Sequence, residues 1–421
     1  MIFLFTPVNI YALLTPLAII FILLEIALCY FYKKKYITFS EAIANFGTAL
    51  GNQTINVLVA AGVYYSYGYL WEHYRLIDHI PTTWYNLLFL LLGIDFIFYW
   101  VHRWGHSINI MWAAHSPHHS AQEMNFFVAT RASVTQRLCS FLFFWPLTLI
   151  GFEPHLLYIM VAIHLFIAFL HHTELIGKFW YWIEFIFTTP SHHRVHHGAN
   201  YKYLDKNYGE FLIIWDRMFG SYAEETDKVV YGMYNHPNTS NPIAINFHYY
   251  ILLWKDAVAT KGWWDKIRLW FMPLGWRPAD LPPKPKQPEM TLENPQHYTT
   301  IPYAHCKLYL ILSCVFGAAL MLLIIGANSP WTVAEKIAGS ILLWHLIINW
   351  GGILDAKKWV FISEMIRIPL TLAALIIFAD LIDKPVILTV CCLYHVYCMY
   401  WVPTYFRANN AEIKYDKSIA L

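Results

Sequence analysis

Three histidine clusters dominate the chemistry that this sequence can perform: His102-Arg-Trp-Gly-His106, His115-Ser-Pro-His118-His119 and Ser191-His192-His193-Arg-Val-His196-His197. Imidazole is the commonest metal ligand because it binds through a neutral nitrogen near physiological pH. On a helix advancing about 100° per residue, positions i and i+4 lie nearly above one another. His102 and His106 therefore share a face, His115, His118 and His119 fall within an arc of about 100°, and the four histidines 192, 193, 196 and 197 within about 140°. This assignment expects Pro117 close to the first turn of its helix, where proline is tolerated. Helix-borne imidazoles aimed at one point suit a pair of metal ions, with iron, zinc and copper as candidates. No Cys/His spacing of a closed zinc site and no Glu-x-x-His pair of a ferritin-like site occurs.

The elements that must carry these clusters are membrane helices. Of 421 residues, 58% are hydrophobic, 18% aromatic and only 13% charged, about half the charge usual in soluble proteins. A formal charge of +2 with no basic stripe excludes a nucleic-acid surface. The seven cysteines sit in or beside apolar segments and mark no disulfide framework. The N-terminus has neither a basic leader nor a small-residue cleavage site, which makes it a retained first span.

Apolar runs at about 10–32, 43–70 and 85–101 read as three crossings. Lys33-Lys34-Lys35 after the first places that end in the cytoplasm, and the third then delivers His102 and His106 to the cytoplasmic face. A hairpin follows, about 138–150 and 155–170, turning at Gly151-Phe-Glu-Pro154; its first arm is short for a crossing. It returns His171 and His172 to the side of the other clusters. After a polar stretch, four more apolar runs lie at about 308–327, 333–350, 361–379 and 385–402, with Lys357-Lys358 and the basic tail after Arg407 on the cytoplasmic side. The expected path has nine crossings. The expected divisions are N-terminal spans 1–84, a catalytic region 85–280, an exposed Pro/Lys/Glu-rich linker 281–305 and C-terminal spans 306–421.

The pattern H-x3-H, H-x2-H-H, H-x2-H-H resembles the fatty acid hydroxylase (sterol desaturase) superfamily. So do Asp95-Phe-Ile-Phe-Tyr-Trp-Val-His102-Arg103, Asp205-Lys-Asn207-Tyr-Gly209 and Trp215-Asp216-Arg217. His171-His172-Thr173-Glu174, Tyr231-Gly232-Met-Tyr-Asn-His236-Pro-Asn-Thr239 and Pro273-Leu-Gly-Trp276-Arg-Pro278 extend the resemblance to the alkylglycerol monooxygenase branch. At His248-Tyr249-Tyr250 the chain departs from a His pair carried by animal members of that branch. The resemblance implies an all-α, polytopic membrane helical bundle with a cytoplasmic histidine-rich diiron cap. It implies two iron ions and O2, with tetrahydrobiopterin as one candidate reductant and a reductase, ferredoxin or cytochrome as the alternative electron donor. The implied substrate is a membrane lipid, oxidised beside an ether oxygen to release a fatty aldehyde. The implied location is the inner membrane of a bacterium or the endoplasmic reticulum of a eukaryote.

Carried residue by residue, the ligand set is His102, His106, His115, His118, His119, His193, His196 and His197, with His172 as a ninth; His192 is a ligand or an orienting neighbour, and His171 is structural. Asp95, an intramembrane carboxylate two turns before His102, is expected to orient a ligand imidazole. Glu174 and Asp216 are candidates for the same task, and Asn207 for shaping the loop that closes the site. The alternatives are a sterol, sphingolipid or fatty acyl hydroxylase or desaturase, a histidine-rich metal transporter with ligands near mid-membrane, and a bis-histidine haem protein using His164, His345 or His395.

Overall fold

Helix is the only extended regular structure among the described residues; β-pairing is confined to three isolated bridges, Ile108 with Pro273, Phe187 with Leu212 and Gly198 with Tyr231. The computed structural model describes residues 7–295, 297–298, 306–326, 329, 331–378 and 384–416. In chain order the helices are α1 (Pro7–Phe31), α2 (Phe39–Tyr74), α3 (Trp84–Gly105), α4 (Asn109–His119), α5 (Phe126–Ala129), α6 (Gln136–Phe141), α7 (Trp145–Ile150), α8 (Pro154–Leu170), α9 (Tyr181–Ile186), α10 (Pro190–His196), α11 (Ile214–Phe219), α12 (Pro242–Ala259), α13 (Trp263–Arg268), α14 (Cys306–Ile325), α15 (Val333–Leu354), α16 (Val360–Phe378) and α17 (Pro385–Asp416).

The chain forms two compact units that are discontinuous in sequence. The first comprises residues 1–41, 55–237 and 246–297, the second 42–54, 238–245 and 298–421. In the first unit α8 packs against both α1 and α3, and α4 packs against α3 and α6. Its apolar core joins Leu90 and Ile94 of α3 to Phe144, Leu147, Leu157 and Val161. In the second unit each of α14 to α16 packs on its successor and α14 closes on α17, the pattern of an up-and-down bundle. A capping box starts α15: Glu335 N–H donates to Thr332 Oγ1 at 3.4 Å and Thr332 N–H to Glu335 Oε2 at 2.6 Å.

Six helical segments among the described residues are long and apolar enough to cross a membrane: Leu13–Phe31, Trp84–Gly105, Cys306–Ile325, Val333–Leu354, Val360–Phe378 and Pro385–Thr404. The chain is an integral membrane protein, and its described residues hold six such helices where nine crossings were expected. The run at 43–70 belongs to one 36-residue helix, α2, whose buried Asn45, Thr48, Asn52 and Asn56 dilute its apolar character. The first hairpin arm breaks into α6 and α7, six residues each. The second arm, α8, has 17 residues, which span about 25 Å against the roughly 30 Å of a hydrocarbon core. Pro117 falls in the last turn of α4, not the first. It is accommodated because the helix ends two residues later, where Ser120 N–H and Oγ–H both donate to Pro117 O. The 281–305 segment is exposed over most of its described part, yet Met290 is buried against Ala199 and Val230. Residues 299–305 and the chain end after 416 lie outside the described residues.

Candidate metal centre

Four short segments of the first unit bring nine imidazoles together. His102 and His106 leave the last turn of α3. The N-terminus of α4 is clamped by Asn109 N–H to Met272 O at 3.0 Å, Ile110 N–H to Trp270 O at 2.8 Å and Asn109 Nδ2 to Leu269 O at 2.8 Å. That clamp sets the direction of the helix bearing His115, His118 and His119. The chain leaving α8 supplies His172. α10, begun by Pro190 in its first turn, supplies His193, His196 and its cap His197.

The rings sort into two groups. His102, His106, His115, His119 and His196 form one; His118, His172, His193 and His197 form the other; in each, the candidate ligand atoms lie within 4.8 Å of one another and every residue is buried. α4 and α10 each feed both groups, because neighbouring helical positions point about 100° apart. The groups adjoin: the His119 and His197 rings stack at 4.4 Å between centroids.

Inside the first group the Nε2 atoms of His102 and His115 are 3.0 Å apart, those of His115 and His119 3.0 Å, of His106 and His119 3.1 Å and of His119 and His196 3.1 Å. In the second, Nε2 of His172 is 3.2 Å from that of His118 and 2.9 Å from that of His193. His119 Nε2 thus faces three other nitrogens, and one N–H cannot satisfy three lone pairs. A metal ion can. The observed spacing is close enough for one ion to be held by each group. Burial, reinforced by neighbouring imidazoles, holds the pKa of His106, His115, His119, His172, His193, His196 and His197 well below the usual histidine range, and burial lowers His118 to about 3. These rings are neutral and ready to bind metal at pH 7.

In three of the rings the opposite nitrogen is held by backbone, whereas His193 Nδ1 has no hydrogen-bond partner. His102 Nδ1–H donates to Tyr208 O at 2.9 Å, His196 Nδ1–H to Lys206 O at 3.0 Å and His172 Nδ1–H to Ala168 O at 3.0 Å. Such partners fix the tautomer and orientation of a ligating ring. Gln136 Nε2 lies 3.3 Å from His115 Nδ1.

The 205–209 loop that supplies two of these carbonyls is unusual backbone. Asp205 and Asn207 have φ of 58° and 55°, a region Asp and Asn tolerate better than most residues. Asn207 is held there because its side chain donates to His192 O and Ala223 O and accepts from Ala223 N–H. Asp216 accepts from Tyr208 N–H at 2.8 Å and Gly209 N–H at 2.7 Å. A Cβ on Gly209 would lie 2.5 Å from Leu212 O and 2.9 Å from Asp216 Oδ2, so only glycine fits. Asp95 accepts from Phe211 N–H, Leu212 N–H and Trp215 Nε1–H and pairs with His164 Nε2 at 2.8 Å.

Of the expected residues, nine histidines converge. His192 does not: its Nε2 lies 3.0 Å from Glu184 Oε2, because it precedes His193 by one residue and so points about 100° away. Asp95 contacts His164, the backbone N–H groups of Phe211 and Leu212 and the Trp215 indole, not a ring of either group. Glu174 accepts a hydrogen bond from Tyr231 Oη–H. The clustering at helix ends differs from the mid-membrane path of a transporter. Of the haem candidates, His164 is taken by Asp95 and His345 by Ser363.

A cavity of about 160 Å³ reaches both groups, touching His102 and His115 of the first and His118 and His172 of the second. Most of its wall is apolar, including Phe98, Met111, Leu165 and Phe169; besides the imidazoles, Gln136, Arg137, Ser140 and Glu210 are polar exceptions. Sequence reasoning missed Gln136 and Glu210, along with the two carbonyls. The 205–209 motif marked the loop, but which atoms it turns inward depends on the fold.

The arrangement of nine imidazoles at the ends of membrane-associated helices defines a class, and residues 87–221 match the family model described as fatty acid hydroxylase. The chain is 38% identical over 269 residues to human alkylglycerol monooxygenase, covering 63% of this chain and 59% of that protein. It is 34% identical over 365 residues to the alkylglycerol monooxygenase of Xenopus tropicalis, covering 83% of this chain and 78% of that protein. An ornithine lipid hydroxylase of Rhizobium tropici is 30% identical over 149 residues, 34% of this chain and 44% of its own. The chain belongs to the alkylglycerol monooxygenase family. It spans about three fifths of the human relative's length, and no solved structure matches it.

Proposed function

We propose that this chain is an O2-dependent diiron monooxygenase that hydroxylates the carbon beside the ether oxygen of an alkylglycerol. One observation carries the reading: a largely apolar cavity ends on both imidazole groups at once. Iron bound by them supplies the activation of O2 and the removal of hydrogen from an unactivated C–H bond. One oxygen atom enters the C–H bond, and the other leaves as water with two electrons and two protons from a reductant. The hemiacetal formed breaks its C–O bond to give a fatty aldehyde and glycerol.

The chain's own residues bind, orient and exclude water. The apolar wall receives the alkyl chain. The carbonyls of Tyr208, Lys206 and Ala168 keep the Nδ1 protons of His102, His196 and His172 in place, which leaves each Nε2 free to bind metal. The names of the relatives support the ether-lipid substrate. Tetrahydrobiopterin is the proposed reductant, with a reductase, ferredoxin or cytochrome as the alternative. Lys33-Lys34-Lys35 supports a cytoplasmic site, in a bacterial inner membrane or the endoplasmic reticulum.

The test is anaerobic reconstitution with ferrous iron, then alkylglycerol, O2 and tetrahydrobiopterin or a ferredoxin system. Fatty aldehyde should form, require iron and disappear in His196→Ala. Equal aldehyde from the variant would overturn the site. A hydroxylated sterol, sphingolipid or acyl chain, with no aldehyde from the ether lipid, would reassign the substrate.

A further inference from the structure

Glu210 is a buried carboxyl that the centre described above does not use. It is 6% exposed and contributes to the wall of the cavity that ends on the imidazoles. Its Oε1 lies 3.5 Å from His102 Nδ1, but that nitrogen already donates to Tyr208 O at 2.9 Å. Its Oε2 has no hydrogen-bond partner. Neither a lysine nor an arginine pairs with it among the described residues. A carboxyl left this way is costly unless something else completes it.

The fold nevertheless holds Glu210 firmly where it is. On one side Gly209 N–H donates to Asp216 Oδ2 at 2.7 Å. On the other, Phe211 N–H and Leu212 N–H donate to Asp95 at 3.0 and 3.1 Å. Two buried carboxylates thus clamp the backbone immediately before and after Glu210. Nor does Glu210 belong to the ligand set: it meets His102 at Nδ1, whereas His102 meets His115 at Nε2, across the ring.

A cavity that served only to oxidise the middle of a hydrocarbon chain would gain nothing from an unpartnered carboxyl beside the metal-binding rings. A lipid oxidised next to its polar head would. In an alkylglycerol, a hydroxyl lies only a few bonds from the reacting carbon, and once desolvated it needs a partner. We infer that Glu210 hydrogen-bonds a hydroxyl of the lipid head and so selects substrates whose reacting C–H adjoins a polyol. The inference rests on the ether-lipid reading and names the residue that recognises the head.

The experiment uses the full-length, iron-loaded protein in detergent, with 1-O-hexadecylglycerol and the same lipid with both hydroxyls O-methylated. Binding is measured anaerobically without reductant, KM and kcat by aldehyde release, and iron content by mass spectrometry. Glu210→Leu should weaken hexadecylglycerol binding and raise its KM by roughly 10- to 100-fold, with iron content unchanged and kcat affected far less. Glu210→Gln, which still hydrogen-bonds, should lose only a few-fold. The O-methylated lipid should bind the unaltered protein roughly 10- to 100-fold more weakly than hexadecylglycerol does, a comparison that needs no variant to fold. Unchanged affinity in Glu210→Leu overturns the inference, as does equal affinity of the unaltered protein for the two lipids. Loss of iron with unchanged affinity also overturns it, assigning Glu210 to the support of His102. If the unaltered protein releases no aldehyde from hexadecylglycerol, the proposed reaction fails, while the binding arm still reports on Glu210.

Discussion

Both units bury polar side chains among apolar helices, and they do so in opposite ways. In the second unit Glu364 and Arg367 are completely buried, and the set around them is closed except at Arg367 Nη1. Arg367 Nη2 is 2.6 Å from Glu364 Oε2, Tyr309 Oη–H donates to the same oxygen, and Asn349 Nδ2 donates to Glu364 Oε1 at 2.8 Å. Ser363 Oγ–H then donates to Asn349 Oδ1 and sits 2.8 Å from His345 Nε2. In the first unit nine imidazoles present nitrogen to nitrogen. Most of the polar atoms of the first arrangement find complementary partners in the protein itself; the second is a surplus of acceptors facing inward. Polar burial that completes itself holds a fold together, whereas polar burial that converges and stays incomplete is a place for something to bind.

The largest expected effect tests the incomplete region. Outer partners of a ligating histidine usually cost about 10–100-fold in metal affinity or activity. Replacing His119, whose Nε2 faces three others, should therefore cost more than that in iron retention and aldehyde formation. A His119→Ala protein that keeps its full iron content would break the comparison.

The closed region should respond in free energy of folding, not in chemistry. Glu364→Leu strands the Arg367 guanidinium and should destabilise by about 3–5 kcal/mol, whereas Glu364→Leu with Arg367→Met should come within about 1 kcal/mol of the unaltered protein. Thermal unfolding in detergent reads both, and iron content should change in neither.

Acid should separate the two regions further. His118 has its pKa lowered to about 3 by burial, so between about pH 3 and 6.5 the unfolded chain binds a proton there that the folded metal-free protein does not. Stability then rises with pH across that window, by about 1.4 kcal/mol per pH unit for this one ring, and is lost as pH falls below 6.5. Melting temperatures of chelator-treated protein from pH 7.5 to 5.5 should fall accordingly; a flat profile would mean that the rings are not buried neutral.

The smallest effect is expected at His192. Its ring faces Glu184 and lies outside both groups, so His192→Ala should leave iron stoichiometry unchanged. A drop by one equivalent would return it to the ligand set.

Much of the centre was legible because helical spacing is a local property. His102 with His106, and His115 with His119, had to share a face on any helix, and the family motifs added His172. The four apolar runs after residue 305 were legible for the same reason, since length and composition suffice for a span. The crossing count was less legible: an apolar run does not reveal that the arm before Gly151 breaks into two short helices.

By itself the sequence determined a membrane protein with clustered histidines spaced to share helix faces, because composition and helical period need no partner to be read, and its motifs carried the resemblance to the family. Only the tertiary structure decided how those rings divide between two groups, which carbonyls orient them, and that Asp95 grips a loop instead of a ring. It alone turned His192 away and set Glu210 in the cavity wall. Those outcomes depend on the direction in which each segment meets another far away in sequence, and long-range packing sets that direction.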